Sequence, residues 1–151
     1  LTLLFLVKLL HQCQWLLINI LKRQTREESK LLKKKPSFLK SKKLIDLIFK
    51  NGHHFWEYPL LVKFLQLNET KDISFVIGVK KKYIPKAVDR NKIKRLMRNS
   101  VRQCFEELKD KIPERKKNYH IAIIYNSNIT YDIDYLKHKI NLILTRLILD
   151  E

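Results

Sequence analysis

The chain has 151 residues and carries 32 Lys and Arg against 15 Asp and Glu, a formal charge of +17 at pH 7. That length fits one domain, and 45% hydrophobic with 10% aromatic residues can build a core despite the charge. Two Gly and four Pro exclude a collagen-like chain, and two distant cysteines, Cys13 and Cys104, exclude a disulfide scaffold or zinc ribbon; the basic excess points to nucleic acid or an anionic membrane surface.

Residues 1–21, LTLLFLVKLLHQCQWLLINIL, are mostly aliphatic and hold one formal charge, Lys8. A helix of that length would reach roughly 32 Å, enough for a bilayer core. His11, Gln12, Gln14 and Asn19 interrupt it, and each weakens insertion. No small-residue cleavage site follows, which argues against a signal peptide. Residues 1–29 are expected to be an extension, either non-native or membrane-seeking, ahead of a domain at 30–151.

Ser41 can cap SKKLIDLIFKNG, in which Leu44, Ile45, Ile48 and Phe49 form one apolar stripe and Gly52 a plausible stop. YPLLVKFLQL (58–67) and ISFVIGV (73–79) read as strands, with the polar turn 68–72 suggesting a hairpin. Pro85 precedes a long helix at 87–109. Pro113 and ERKKN separate it from a third strand, YHIAIIYN (119–126). A turn at 126–128 leads to a last helix, starting near Asp132 or Asp134 and burying Leu136, Ile140, Ile143, Leu144 and Leu147. The order α-β-β-α-β-α predicts a small α+β sandwich, helices packed on one sheet.

The stretch KKKYIPKAVDRNKIKRLMRNSVR (80–102) holds ten basic side chains and one acid, Asp89. At about 100° per residue, Ile93, Leu96, Met97, Val101, Cys104 and Leu108 fall on one side of the helix. Asn91, Lys94, Arg95, Arg98 and Arg102 fall on the other. Lys94, Arg98 and Arg102 stack at i, i+4 and i+8, where like charges repel. An isolated protein gains nothing from that repulsion, whereas a polyphosphate converts it into binding free energy. Solvated helix faces ordinarily mix signs, and here the strand exit at 80–82 adds charge to the same place. Arg forks onto phosphate oxygens and Lys adds point charge; Asn91 offers a hydrogen bond to a phosphate or to an ordered metal-bound water. Arg90 lies off the cationic arc.

AVDRNKIKRLMR resembles the signature of the bacterial ribonuclease P protein component, an Arg-Asn-Arg run on a basic helix. The run reads Arg90, Asn91, Lys92 here, followed by matching Lys94, Arg95 and Arg98; Lys92 keeps the charge of the commoner Arg and loses its fork. The family's Lys-Lys pair corresponds to Lys81 and Lys82. The resemblance covers roughly 31–149 and leaves 1–29 outside. It implies an RNA-binding surface of Lys81, Lys82, Lys86, Arg90, Asn91, Lys92, Lys94, Arg95, Arg98 and Arg102. It also implies a four-stranded sheet with a left-handed βαβ crossover, the fold of the second domain of ribosomal protein S5, although only three strands stand out. Equal spacing from Gly52 places the family's leader-contacting positions at Ile45, Phe49 and Lys63, of which only Phe49 is aromatic. Phe64 faces the opposite side of an unbulged strand, so stacking would be weaker or come from Phe55, Trp56 or Tyr58. The implied partners are ribonuclease P RNA and precursor tRNA with its 5′ leader, in the cytoplasm. Mg²⁺ would be held mainly by the RNA, and no small-molecule cofactor or membrane partner is expected for the domain.

No protein catalyst or metal site is visible among the residues themselves. His53 and His54 read as loop histidines, and His120 and His138 lack spaced partners. Ser100 has no nucleophile-elbow context. Cys104 falls on the apolar face and reads as a core thiol, and Asp132 and Asp134 read as capping residues. The expectation is an accessory subunit whose RNA does the chemistry. A structural, ribosomal-type RNA-binding protein is the alternative, and a basic protein anchored by residues 1–21 is a third.

Overall fold

A computed structural model describes residues 2–3, 12, 14–24, 35–67, 72–113 and 119–149. The chain forms two compact units, 1–34 and 35–151. In the first, residues 14–24 are helical. Residues 1, 4–11 and 13 of the apolar stretch 1–21 lie outside the described residues, Cys13 among them, as do the ERKKN run and most of the 68–72 turn. Among the described residues no helix is long and apolar enough to cross a membrane.

The second unit holds strand β1 (Ser37–Phe38), helix α1 (Lys42–Asn51) and strands β2 (His53–Glu57), β3 (Leu60–Gln66) and β4 (Ser74–Val79). Helix α2 (Ala87–Leu108), strand β5 (Tyr119–Tyr125) and helix α3 (Ile133–Leu144) follow, α3 running on as a π-helical turn at Thr145–Leu149. This is the expected α+β class with two more strands than the periodicity showed. His53 and His54 therefore lie in a strand, not a loop.

The five strands form one mixed sheet in the order β1-β4-β5-β3-β2. The expected hairpin of β3 with β4 does not form. Strand β5 lies between them, antiparallel to β3 (Leu61↔Ile124) and parallel to β4 (Ile77↔Ile123). The reason is burial. Six of the seven β5 residues are inaccessible, and a strand apolar on both faces belongs in the middle of a sheet. The parallel unit β4-α2-β5 is a βαβ crossover, in a sheet of five strands where the resemblance implies four.

One sheet face carries Leu60, Val62, Phe75, Ile77, Ile121, Ile123 and Tyr125 and packs under α2 and α3. Helix α2 buries Ile93, Met97, Ser100, Val101, Cys104, Phe105 and Leu108 there, with Phe105 edge-on to Phe75 at 5.9 Å. Helix α3 contributes Leu136, Ile140, Ile143 and Leu144, and the turn after it Leu147, as the 3.6-residue period predicts. The opposite face is covered by α1, which buries only Ile48 completely. Phe49, expected in the stripe, is 40% exposed.

Ser41 and Asp132 occupy N-cap positions without a side-chain capping hydrogen bond. Gly52 ends α1 with extended backbone, its N–H donating to the Ile48 carbonyl at 2.9 Å. A Cβ there would stand 2.3 Å from that carbonyl oxygen and 3.1 Å from that of Phe64. Glycine is needed for close approach rather than for a left-handed turn.

Candidate nucleic-acid interface

The cations of 80–102 gather along α2 and the strand exit that feeds it. Lys80 anchors the exit, its N–H donating to the Tyr125 carbonyl while its own carbonyl accepts from Tyr83 and Ile84, each at 3.2 Å. That turn leaves Lys80, Lys81 and Lys82 exposed, the Lys82 ammonium 5.7 Å from the Tyr83 ring. On the helix Lys86, Asn91, Lys92, Arg95, Arg98 and Arg102 are exposed and Lys94 is half-buried. At the far end the Arg102 guanidinium lies 5.4 Å from the ring of Phe38 on the edge strand. None of these cations has an ion-pair partner among the described residues. Like charges held a turn apart without counter-charge leave a strongly positive band. Arg90 behaves differently: its guanidinium donates to the carbonyls of Ile84, at 3.0 Å, and Pro85. It braces the turn into α2.

A second constellation lies on the α1 face of the sheet. Strand register aligns His54, Lys63, Ala122 and Val76 in one row and Trp56, Leu61, Ile124 and Gly78 in the next. The Lys63 ammonium donates to the Phe49 carbonyl at 3.1 Å and sits 5.3 Å from that ring. Phe49 and Lys63, singled out by spacing, are thus brought together, and half-buried Ile45 lies one turn before Phe49 on α1. Trp56 shares this face and is 54% exposed. Phe55 and Phe64 lie on the other face, Phe64 stacked on Tyr119 at 6.0 Å. Tyr58 stands past the end of β2, hydrogen-bonded to Ser127 and Tyr131 at 3.2 Å each. Sequence reasoning could not choose among Phe55, Trp56 and Tyr58 without the strand at 53–57, whose two-residue alternation against Lys63 decides the side.

Ser100, Cys104 and His120 are all buried within the fold. Ser100 is buried and donates to the Leu96 carbonyl at 3.0 Å. Burial pushes the Cys104 thiol up to about 11, so it stays protonated at neutral pH and has little nucleophilic character. His120 is buried, and desolvation lowers its pKa below the ordinary histidine value. Among the described residues no three His, Cys, Asp or Glu side chains are grouped to hold a metal ion.

A single mixed sheet with a cationic helix on one face and a part-exposed patch of Phe49, Trp56 and Lys63 on the other defines an α+β domain with surfaces suited to a polyanion. The model of the ribonuclease P protein family matches residues 31–147, and the chain belongs to that bacterial family. Among solved structures it resembles the Staphylococcus aureus RNase P protein, with a TM-score of 0.58 and 20% identity over 76% of this chain and 99% of that one. It resembles the Thermotoga maritima RNase P protein with a TM-score of 0.56 and 29% identity, over 73% and 96% of the two chains. No curated protein is matched by sequence. Membership implies a role in ribonuclease P and tRNA processing, with an RNA partner.

Proposed function

We propose that this chain is the protein subunit of ribonuclease P, assisting a catalytic RNA in endonucleolytic removal of the 5′ leader from precursor tRNA in the cytoplasm. The observation that carries this is the cationic band running from Lys80 to Arg102 without ion-pair partners among the described residues. Cations on α2 offset the mutual repulsion of two RNA backbones as they dock. The leader lies on the α1 face, where Phe49 and Trp56 offer stacking surfaces and Lys63 a point charge. Scission belongs to the RNA and to Mg²⁺ that it mainly holds, and the chain's own contribution is binding and charge neutralisation.

The test is processing of precursor tRNA by the partner RNA with and without the full chain across a Mg²⁺ series. The chain should lower the Mg²⁺ requirement and cut nothing alone. Cleavage by the chain without RNA would overturn the reading. Tight association with the RNA and unchanged cleavage would instead favour a structural RNA-binding protein.

A further inference from the structure

The sheet face away from α1 carries a concavity, at the edge opposite the Arg102–Phe38 contact. A groove of about 790 Å³ opens between β2, the end of β3, the start of β5 and the turn that follows α3. Its floor is a run of rings: Phe55 meets Phe64 edge-on at 6.1 Å, Phe64 stacks on Tyr119 at 6.0 Å and His53 tilts against Phe64 at 5.7 Å. Its rim carries a cation, the Arg146 guanidinium, 4.6 Å from the centre of the Phe55 ring. Among the described residues Glu57 is the single carboxylate lining the groove, and Lys139 holds it at 2.7 Å.

We propose that this groove binds a short single-stranded nucleotide segment, one base stacking on the aromatic floor and its phosphate meeting Arg146. The proposal rests on the reading that the chain works on RNA, but it concerns a surface that reading does not use. Stacking suits any base, because every base has a π-face, and a neighbouring guanidinium supplies both charge and a planar partner. The free edge of β2 could instead pair with a peptide strand. A peptide would not require the cationic rim or a neutralised carboxylate, and a phosphate would.

The test is an NMR titration of the full chain with a short oligouridylate, read residue by residue. Amide signals of His53, Phe55, Phe64 and Tyr119 should move together with one dissociation constant. Arg146→Glu should weaken that constant by about tenfold or more, the loss of one stacked or phosphate contact, while shifts at Lys81 and Arg98 persist. Arg146→Lys should recover part of the affinity, through charge without the planar stack. The same spectra show whether each variant is folded. Shifts confined to the α1 face and α2 would overturn the groove and leave the proposed function standing. Equal groove affinity in Arg146→Glu, or groove shifts caused by an uncharged peptide and not by the oligonucleotide, would overturn it as well.

Discussion

The Lys63 side chain reaches from β3 to Phe49 on α1, donating to its carbonyl at 3.1 Å while lying 5.3 Å from its ring. The pair fixes a ring that is 40% exposed beside an ammonium, which is the chemistry a single strand needs: a face to stack on and a charge for its backbone. Removing Phe49 by substitution with Ala is expected to weaken binding of precursor tRNA by about 1–3 kcal/mol, the value of one stacked base, and to leave mature tRNA binding almost unchanged. Paired dissociation constants for substrates with and without a leader check this. An equal loss for both would place Phe49 outside the leader path.

Arg95 and Arg98 project from the exposed side of α2 without ion-pair partners among the described residues. If they neutralise phosphates, Arg95→Ala and Arg98→Ala each reduce the magnitude of the salt slope of RNA binding by about 0.7–0.9. Holoenzyme activity should fall more at low Mg²⁺ than at high Mg²⁺, because added metal replaces lost positive charge. A loss of the same size at every Mg²⁺ concentration would contradict that account.

Gly52 is a packing requirement. Its Cβ position lies 2.3 Å from the Ile48 carbonyl oxygen, so Gly52→Ala must displace the end of α1 or the backbone at Phe64. We expect a destabilisation of about 1–3 kcal/mol, typical of forced overpacking, measurable as a lowered urea midpoint. Since the same shift moves Phe49, leader affinity should fall with it.

His120 sits in the central strand, buried, with its pKa lowered by desolvation. The unfolded chain takes up a proton near pH 6.5, and the native imidazole resists it to lower pH. Stability from this group is therefore complete above the unfolded value and is lost as pH falls toward the native one. In denaturation series at constant ionic strength, His120→Leu should show a shallower acid decline than the parent chain. Parallel declines would assign the acid sensitivity to other groups.

How much of the fold is legible in the sequence depends on which force places each element. Helix α2 is readable almost to the residue because its 3.6-residue apolar period and its cations fall on opposite sides. Strand β5 stands out by the apolar run 121–125, IAIIY. Strand β2 does not: HHFWE is an edge strand with only alternate residues half-buried, and two-residue β1 is below any periodic signal. The expected pairing of β3 with β4 follows from the ordinary pairing of neighbouring strands, and it fails because the two-sided burial of β5 overrides proximity. In the site, charge alone locates the cations of α2. The side Trp56 faces depends on β2 register, and the contact of Phe55 with Arg146 joins residues far apart in the chain, which no local pattern reports.

The place of β5 between β3 and β4 has a consequence for how the protein is made. On the ribosome β2 and β3 emerge early but remain a two-stranded ribbon, which is barely stable alone. Strand β4 and helix α2 follow with their apolar sides uncovered, and only when 119–125 leaves the exit tunnel can either half of the sheet close. The nascent chain thus carries a long interval of unmet pairing, the circumstance in which slow folding and chaperone dependence arise.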